Sequence, residues 1–389
     1  MNPSARGWIN KLLKSLDTSN SKIELEKVYF DLRVAGFLYG SNLLIINKSI
    51  DDSDFTQEER CKINLLLALL YTYNTETSNN NFIDSVIKFY TEINEHKTSV
   101  FSDILGGKIA SATLERILHK RIQIDNNVIT KNFNYFITNA LLFVDVLAYQ
   151  QYLKQGNISE DYIKHIEANL ETVVINVLNA KQERTEYDNS LIKLLESSLR
   201  YHDHKSKSYQ EAISSVKSGL EAHYLLDIAC MSTWSDQVID TNERSFLHQL
   251  GNDLKFEKAV VNDAINSVNK FYTKHKDNIA LLSSKNLVKS FYDNSSKMVS
   301  KLISRNSKRL YKELKESKEL VKLISQSTKR DLNEEEQKKV QEQLLDLFKS
   351  IPSLAIFMLP GGALLLPLFI KFIPKLLPSA FDENRIEED

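Results

Sequence analysis

Apolar residues recur along most of the chain at spacings of three and four, which places them on one face of an α-helix. The pattern is clearest at 64–73, 82–93, 141–153 and 162–178. Before residue 351 the only proline is Pro3, glycines are few, and no alternating pattern lasts long enough to build a sheet. The sequence therefore predicts an all-α fold.

We divide the 389 residues into four expected segments. We expect an N-terminal helical domain at 1–205, a helical bundle at 206–280, basic amphipathic helices at 281–348, and a hydrophobic segment with a short acidic tail at 349–389. The net charge of −1 does not indicate a nucleic-acid partner for the whole chain, and two cysteines without metal-ligand spacing argue against a disulfide scaffold or zinc ribbon.

Three helix starts share one arrangement, in which a short polar residue is followed three positions later by glutamate. In such a capping box the first side chain accepts a backbone N–H, and the glutamate reaches back to the N–H of the cap. The three pairs are Thr56 with Glu59, Asp240 with Glu243, and Asn333 with Glu336.

The second start belongs to a longer motif at 223–265. Its turn positions are Asp236, Ile239, Asp240 and Glu243, followed by Leu250, Gly251 and Leu254. The motif resembles the TerB-like family over about 220–280, although Gln237 stands where the family usually has glycine. The resemblance implies a small helical bundle and, in some members, a divalent cation.

That resemblance makes Asp236, Asp240 and Glu243 candidate ligands for Ca²⁺ or Mg²⁺. Calcium normally takes about six or more oxygen ligands, so helix capping and solvation explain the three acids more simply. No other cofactor is predicted. The sequence also contains no recognisable nucleophile or metal-ligand motif, and we expect a protein that is not an enzyme.

Positive charge is concentrated between Lys285 and Arg330, where thirteen Lys and Arg face four Asp and Glu. One interpretation is a solvated helix face with i,i+4 ion pairs. The acids are too few to neutralise the bases, which favours a basic surface for phospholipid headgroups or RNA phosphates. The candidate residues are Lys301, Arg305, Lys308, Arg309, Lys312 and Lys315.

The most hydrophobic stretch follows, with twenty uncharged residues from Ile351 to Ile370. As a helix it would reach about 30 Å, the thickness of a bilayer core, so it predicts a membrane segment; a buried core hairpin is the alternative. Its prolines each remove a backbone donor, which requires the freed carbonyls to face protein, water or a cation. The candidate residues of the segment are Pro352, Pro360, Gly361, Gly362, Pro367, Lys371, Pro374 and Pro378.

Residues from about 305 to 381 resemble the core of the Letm family of leucine-zipper, EF-hand-containing transmembrane proteins. The matching positions are Leu347, Phe348, Pro352, Pro360, Leu365, Leu366, Pro367, Lys371, Pro374, Leu377, Pro378, Ser379 and Phe381. The resemblance implies a membrane protein linked to potassium–proton exchange or cation homeostasis, with a ribosome-binding region.

Two main functions remain open from the sequence, and a metal-responsive TerB-like sensor is a third, weaker alternative. The first is a membrane-anchored helical scaffold that binds ribosomes or anionic lipid at the membrane surface. The second is cation transport, which one span cannot support alone and which therefore requires an oligomer formed through the C-terminal segment or a partner subunit. Ala363 stands where the family typically has glutamate inside the hydrophobic stretch, which argues against autonomous exchange.

The expected location is a membrane, specifically a bacterial inner membrane with the N-terminal region in the cytoplasm. The first thirty residues contain no long apolar core and no small-residue cleavage site, so a secretory signal is not expected.

Overall fold

Helices account for nearly all regular structure in the computed structural model, and the all-α prediction is confirmed. No strand occurs in the residues that the structure describes. These are residues 1–16, 23–77, 81–93, 110–122, 139–181, 192, 195, 207–233, 239–275, 296, 299–327, 330, 332–351, 354 and 366–377.

A first group of helices precedes residue 276, and a short 3₁₀ turn at Phe37–Tyr39 follows its second helix. The helices are α1 (Trp8–Ser15), α2 (Leu25–Ala35), α3 (Gln57–Glu76), α4 (Phe82–Ile93), α5 (Ala110–Ile122), α6 (Phe143–Gln155), α7 (Glu160–Ala180), α8 (Tyr209–Ser214), α9 (Gly219–Thr233), α10 (Thr241–Asp253) and α11 (Lys258–His275).

The first group packs around one hydrophobic core. Helix α9 lies at its centre and contacts α7, α10 and α11, while α3 packs against α6 and α4 against α5. Side chains from Trp8 to Tyr272 form a single buried cluster. Helices expected in the separate segments 1–205 and 206–280 therefore share one core.

A second group of helices follows residue 299, beginning with the helical residues 299–305. The helices are α12 (Ser307–Glu316), α13 (Lys318–Ser327), α14 (Glu334–Ser350) and α15 (Leu366–Leu376). Their buried side chains, from Val299 to Leu377, form a second cluster. The expected basic and hydrophobic segments thus contribute to a common core.

The three predicted capping boxes are confirmed. Each closes with both hydrogen bonds, and in the third the Glu336 N–H donates to Asn333 Oδ1 at 2.9 Å while the Asn333 N–H donates to Glu336 Oε2 at 2.9 Å. A fourth box, at Ser208 and Glu211, was missed by the sequence reasoning although it has the same spacing. These boxes fix where α3, α8, α10 and α14 begin.

Candidate functional site

Helix α15 is held in the second core by its apolar face. Phe369 is fully buried and meets the ring of Phe348 from α14 edge to face, with centroids 4.9 Å apart. Ile373 is also fully buried, whereas Lys371 and Lys375 on the other face are exposed. The described part of the hydrophobic segment is therefore an amphipathic helix that packs against the basic helices.

Four of the six candidate basic residues lie on helix α12. At roughly 100° per residue, its four cations fall within one arc opposite Leu310 and Leu314, which are fully buried. All four cations are exposed: Lys308, Arg309, Lys312 and Lys315. We call these four residues the basic face.

Lys301 and Arg305 lie elsewhere, because both are half-buried and bind the first group of helices. Lys301 Nζ donates to the carbonyl oxygens of Ser53 at 3.0 Å and Phe55 at 2.8 Å. The Arg305 guanidinium donates through Nη1 to Glu59 Oε2 at 2.7 Å and through Nη2 to Glu59 Oε1 at 2.8 Å. These contacts, which we call the junction, bring the basic segment against the start of α3.

Glu59 is the centre of the junction. Its carboxylate is buried, closes the α3 capping box through the Thr56 N–H at 2.9 Å, and accepts the Ser4 hydroxyl at 2.6 Å. Burial by itself raises the pKa of Glu59, but the hydrogen bonds and the charge of Arg305 hold that pKa below its usual range. Glu59 therefore stays ionised beside Arg305.

The candidate membrane residues fall partly within the described chain. Pro367 and Lys371 lie on the exposed face of α15, and Pro374 lies inside this helix, where it lacks the N–H that would bond the Ile370 carbonyl. Pro352, Pro360, Gly361, Gly362 and Pro378 lie outside the described residues. Among the helices described, none is both long enough and apolar enough to cross a bilayer.

The candidate metal ligands are arranged as a helix start. Asp240 Oδ1 accepts the Glu243 N–H at 2.8 Å, and Glu243 is buried with Lys181 Nζ 3.5 Å from its Oε1. Asp236 lies outside the described residues. Within the described chain, no three His, Cys, Asp or Glu side chains converge as a metal site.

The first core contains a buried ionic cluster that the sequence reasoning missed. Asp227 accepts the Tyr29 hydroxyl and lies 3.5 Å from Arg33 Nη1, while Arg33 also donates to Asp263. Burial raises the pKa of Asp227 to about 6, although Arg33 and Tyr29 act in the opposite direction. Asp227 and Arg33 are 194 positions apart in the sequence, so no local pattern could have indicated the pair.

A second buried ion pair stabilises the contact between α5 and α6. Arg121 donates to both carboxylate oxygens of Asp145, at 2.8 Å and 3.2 Å, and the Tyr90 hydroxyl donates to the same carboxylate at 2.9 Å. A buried carboxylate is tolerated where such charged and neutral donors replace its water. For each of the two ion pairs, the only signal in the sequence is an aspartate, Asp227 or Asp145, within an otherwise apolar run.

The match to a known protein family lies in the C-terminal part of the chain. Residues 332–389, which include α14 and α15, match the family model described as LETM1-like, RBD. The C-terminal region is LETM1-like. This result confirms the Letm resemblance read from the prolines and leucines of the sequence, and we call residues 332–389 the LETM1-like region.

A curated relative points to the same family. Fifty-five residues of the chain are 44% identical to a mitochondrial proton/calcium exchanger protein of Drosophila melanogaster. That alignment covers 14% of this chain and 5% of the relative, so the chain spans only a small part of the relative's length. No solved structure matched the chain. The TerB-like resemblance over 220–280 stays a prediction.

Proposed function

We propose that the protein is a non-catalytic, membrane-associated helical scaffold whose basic face binds the ribosome through RNA phosphates. The observation that carries the proposal is the second core, in which α12, with its exposed cations, shares one buried cluster with a LETM1-like region of the ribosome-binding type. Phosphate contacts by Lys and Arg supply sequence-independent affinity for RNA. The buried Leu310 and Leu314 anchor the helix that carries these cations in the second core.

Ribosome co-sedimentation at graded salt tests the proposal. Charge reversal of the basic face at Lys308, Arg309 and Lys312 to Glu should weaken binding and reduce the slope of log affinity against log salt by about 2, since three cations no longer neutralise phosphates. The matched control reverses three exposed lysines of α11, Lys258, Lys270 and Lys274, and should sediment like the wild type. Equal losses in both variants would contradict a specific basic face.

Membrane association is the second part of the proposal. It is supported by the twenty uncharged residues from Ile351 to Ile370 and by the exchanger relative. The full-length chain should remain with membranes after washing at high salt and after carbonate extraction, because hydrophobic insertion resists both treatments. Release by salt alone would indicate an electrostatic attachment and contradict an inserted segment.

Cation transport is a second candidate function, favoured by the similarity to the Drosophila proton/calcium exchanger protein. We propose that, if the chain transports, it acts as an oligomer or as one subunit of a transporter. Full-length protein reconstituted in liposomes with an internal pH indicator should then couple proton movement to added K⁺ or Ca²⁺. The absence of flux over a range of pH would remove direct transport and leave the scaffold function.

A further inference from the structure

The junction between the two groups of helices has the geometry of an anion site that is already filled. A planar guanidinium offers two parallel N–H groups, and this fork fits a carboxylate and a phosphate equally well. In this structure the Glu59 carboxylate takes both N–H groups of Arg305. Glu59 therefore occupies the position in which a phosphate would bind.

We propose that Arg305 forms a phosphate-binding position for RNA that Glu59 masks, so that RNA binding competes with the docking of the basic segment on α3. This inference rests on the proposed function, because the competing phosphates belong to the RNA that the basic face binds. Docking withholds Lys301 as well, since its ammonium group is taken by the Ser53 and Phe55 carbonyls. If residues 299–306 separated from α3, Lys301 and Arg305 would therefore be added to the cations of the basic face.

An open cleft beside the junction gives a phosphate access to Arg305. The cleft has a volume of about 750 Å³, and its wall from the second group of helices includes Arg305, Lys308 and Arg309. Lys308 and Arg309 also belong to the basic face, so RNA held by that face would lie next to the masked position. The cleft thus connects the exposed cations with the covered one.

The opposite wall of the cleft explains why docking excludes phosphate. Asp51 and Asp54 line this wall and belong to the loop that leads into α3. Their negative charge opposes a phosphate for as long as the segment stays docked. When residues 299–306 leave α3, Arg305 moves away from Glu59, Asp51 and Asp54. The masked position then loses its carboxylate occupant and its negative neighbours in one step.

Glu59 would not be left without donors when Arg305 departs. The Thr56 N–H and the Ser4 hydroxyl still donate to it, at 2.9 Å and 2.6 Å. Loss of a partner is most unfavourable where a buried charge keeps no donor at all. Because these hydrogen bonds remain, the loss of Arg305 costs Glu59 less. A polyanion such as RNA, which binds through several phosphates at once, can therefore replace Glu59 as the partner of Arg305.

The test is the variant Glu59→Gln, which weakens the hold on Arg305 while keeping side-chain volume and every cation. Binding of purified ribosomal RNA to the full-length variant should be tighter than to the wild type. The slope of log affinity against log salt should steepen by about 0.7 to 0.9 for each additional phosphate that the protein neutralises. Unchanged affinity and slope would overturn the inference.

Glu336→Gln is the matched control. Glu336 is also the third residue of a capping box, and it also binds both outer nitrogens of an arginine, Arg330, at 2.8 Å and 2.6 Å. Both residues belong to the second group of helices, and their ion pair does not connect the two groups. A gain in RNA affinity equal to that of Glu59→Gln would show that one lost negative charge is sufficient, and would contradict masking.

Hydrogen exchange without RNA separates this inference from the proposed function. Residues 299–306 should exchange faster in Glu59→Gln than in the wild type. If Glu59→Gln exchanges faster but neither it nor the wild type binds RNA, the proposed function is contradicted while the contact between Arg305 and Glu59 is supported. Unchanged exchange would sink the contact itself. Enhanced binding to phosphatidylglycerol vesicles instead of RNA would overturn the RNA assignment.

Discussion

Single residues fix the close approach of α2 to α11. Gly36 ends α2 with a φ of 85°, in the left-handed region that side chains with a Cβ rarely adopt. A Cβ at this position would lie 2.1 Å from the Ser41 carbonyl oxygen and 2.4 Å from Cζ of Phe271. Backbone conformation and space therefore both require glycine.

Gly7 provides a control for Gly36, because its φ is also 85° but a Cβ there would meet nothing within 4 Å. We expect Gly7→Ala to lower the free energy of unfolding by about 1–2 kcal/mol, the cost of the left-handed backbone alone. Gly36→Ala should lose about 1–3 kcal/mol more through overpacking. Urea unfolding of the two variants measures the difference, and equal losses would contradict the packing argument.

Asp227 is the second position where one side chain has a measurable consequence. Its pKa is raised by burial from 3.8 to about 6, so the folded state holds this proton more tightly than the unfolded chain. The contribution of Asp227 to stability is therefore greatest below about pH 4 and is lost as the pH rises through about 6. The charged and polar groups facing it are Tyr29, Arg33, Tyr39 and, through Arg33, Asp263.

The variant Asp227→Asn removes this titration. The free energy of unfolding of the wild type, minus that of the variant, should fall by roughly 3 kcal/mol from well below pH 4 to well above pH 6. Other acids contribute equally to both proteins, so the difference isolates Asp227. Denaturant titrations at several pH values measure it, and a difference that rises with pH would mean that the pKa is lowered instead.

Helix α15 shows how an element gains its role from packing. Its sequence, LPLFIKFIPKL, suits either lipid or a protein core, and the structure assigns its apolar face to the second core. The interior proline does not prevent this, because the helix is short and ends soon after Pro374. The helix therefore closes the core formed by α12 to α14.

The packing of α15 can be tested at Phe369. Phe369→Ala should destabilise the second group of helices by about 3–5 kcal/mol, as expected for a buried aromatic side chain. Lys371→Ala, on the exposed face, should change stability by no more than about 0.5 kcal/mol. Hydrogen exchange of 307–350 reports the effect. Equal protection in both variants would mean that α15 does not contribute to this core.

At the scale of the whole molecule, the residues that the structure describes form two cores, which the polar contacts of Arg305 and Lys301 join. Exposed ion pairs contribute little, but a buried pair that is broken leaves a desolvated charge behind. The junction therefore sets how the two groups lie against each other, while each core supplies its own stability. The two cores should consequently unfold separately.

Tryptophan fluorescence can distinguish the two cores, because both tryptophans, Trp8 and Trp234, precede the second core in the sequence. Leu344→Ala, in the second core, should shift part of the unfolding transition seen by circular dichroism and leave the fluorescence midpoint unchanged. Leu66→Ala, in the first core, should shift the fluorescence midpoint. Both side chains are fully buried, so the deletions are matched. A fluorescence shift in Leu344→Ala would show one cooperative unit.

Much of the fold was predictable because its signals are local. Helical periodicity, the three capping boxes and the proline-leucine pattern of the LETM1-like region depend on residues a few positions apart. The basic face was visible for the same reason, because spacing along one helix decides which cations share a side. The interior capping box at Ser208 was equally visible in principle and was missed.

The sequence by itself determined the helical class, three helix starts and the LETM1-like pattern of the C-terminal region, since each depends on residues within a few turns of one another. Only the tertiary structure decided that segments 1–205 and 206–280 share a core, that α15 packs on the basic helices, and that Glu59 takes Arg305, 246 positions away. Contacts at such separations depend on how whole helices pack, and no local spacing of residues encodes the partner.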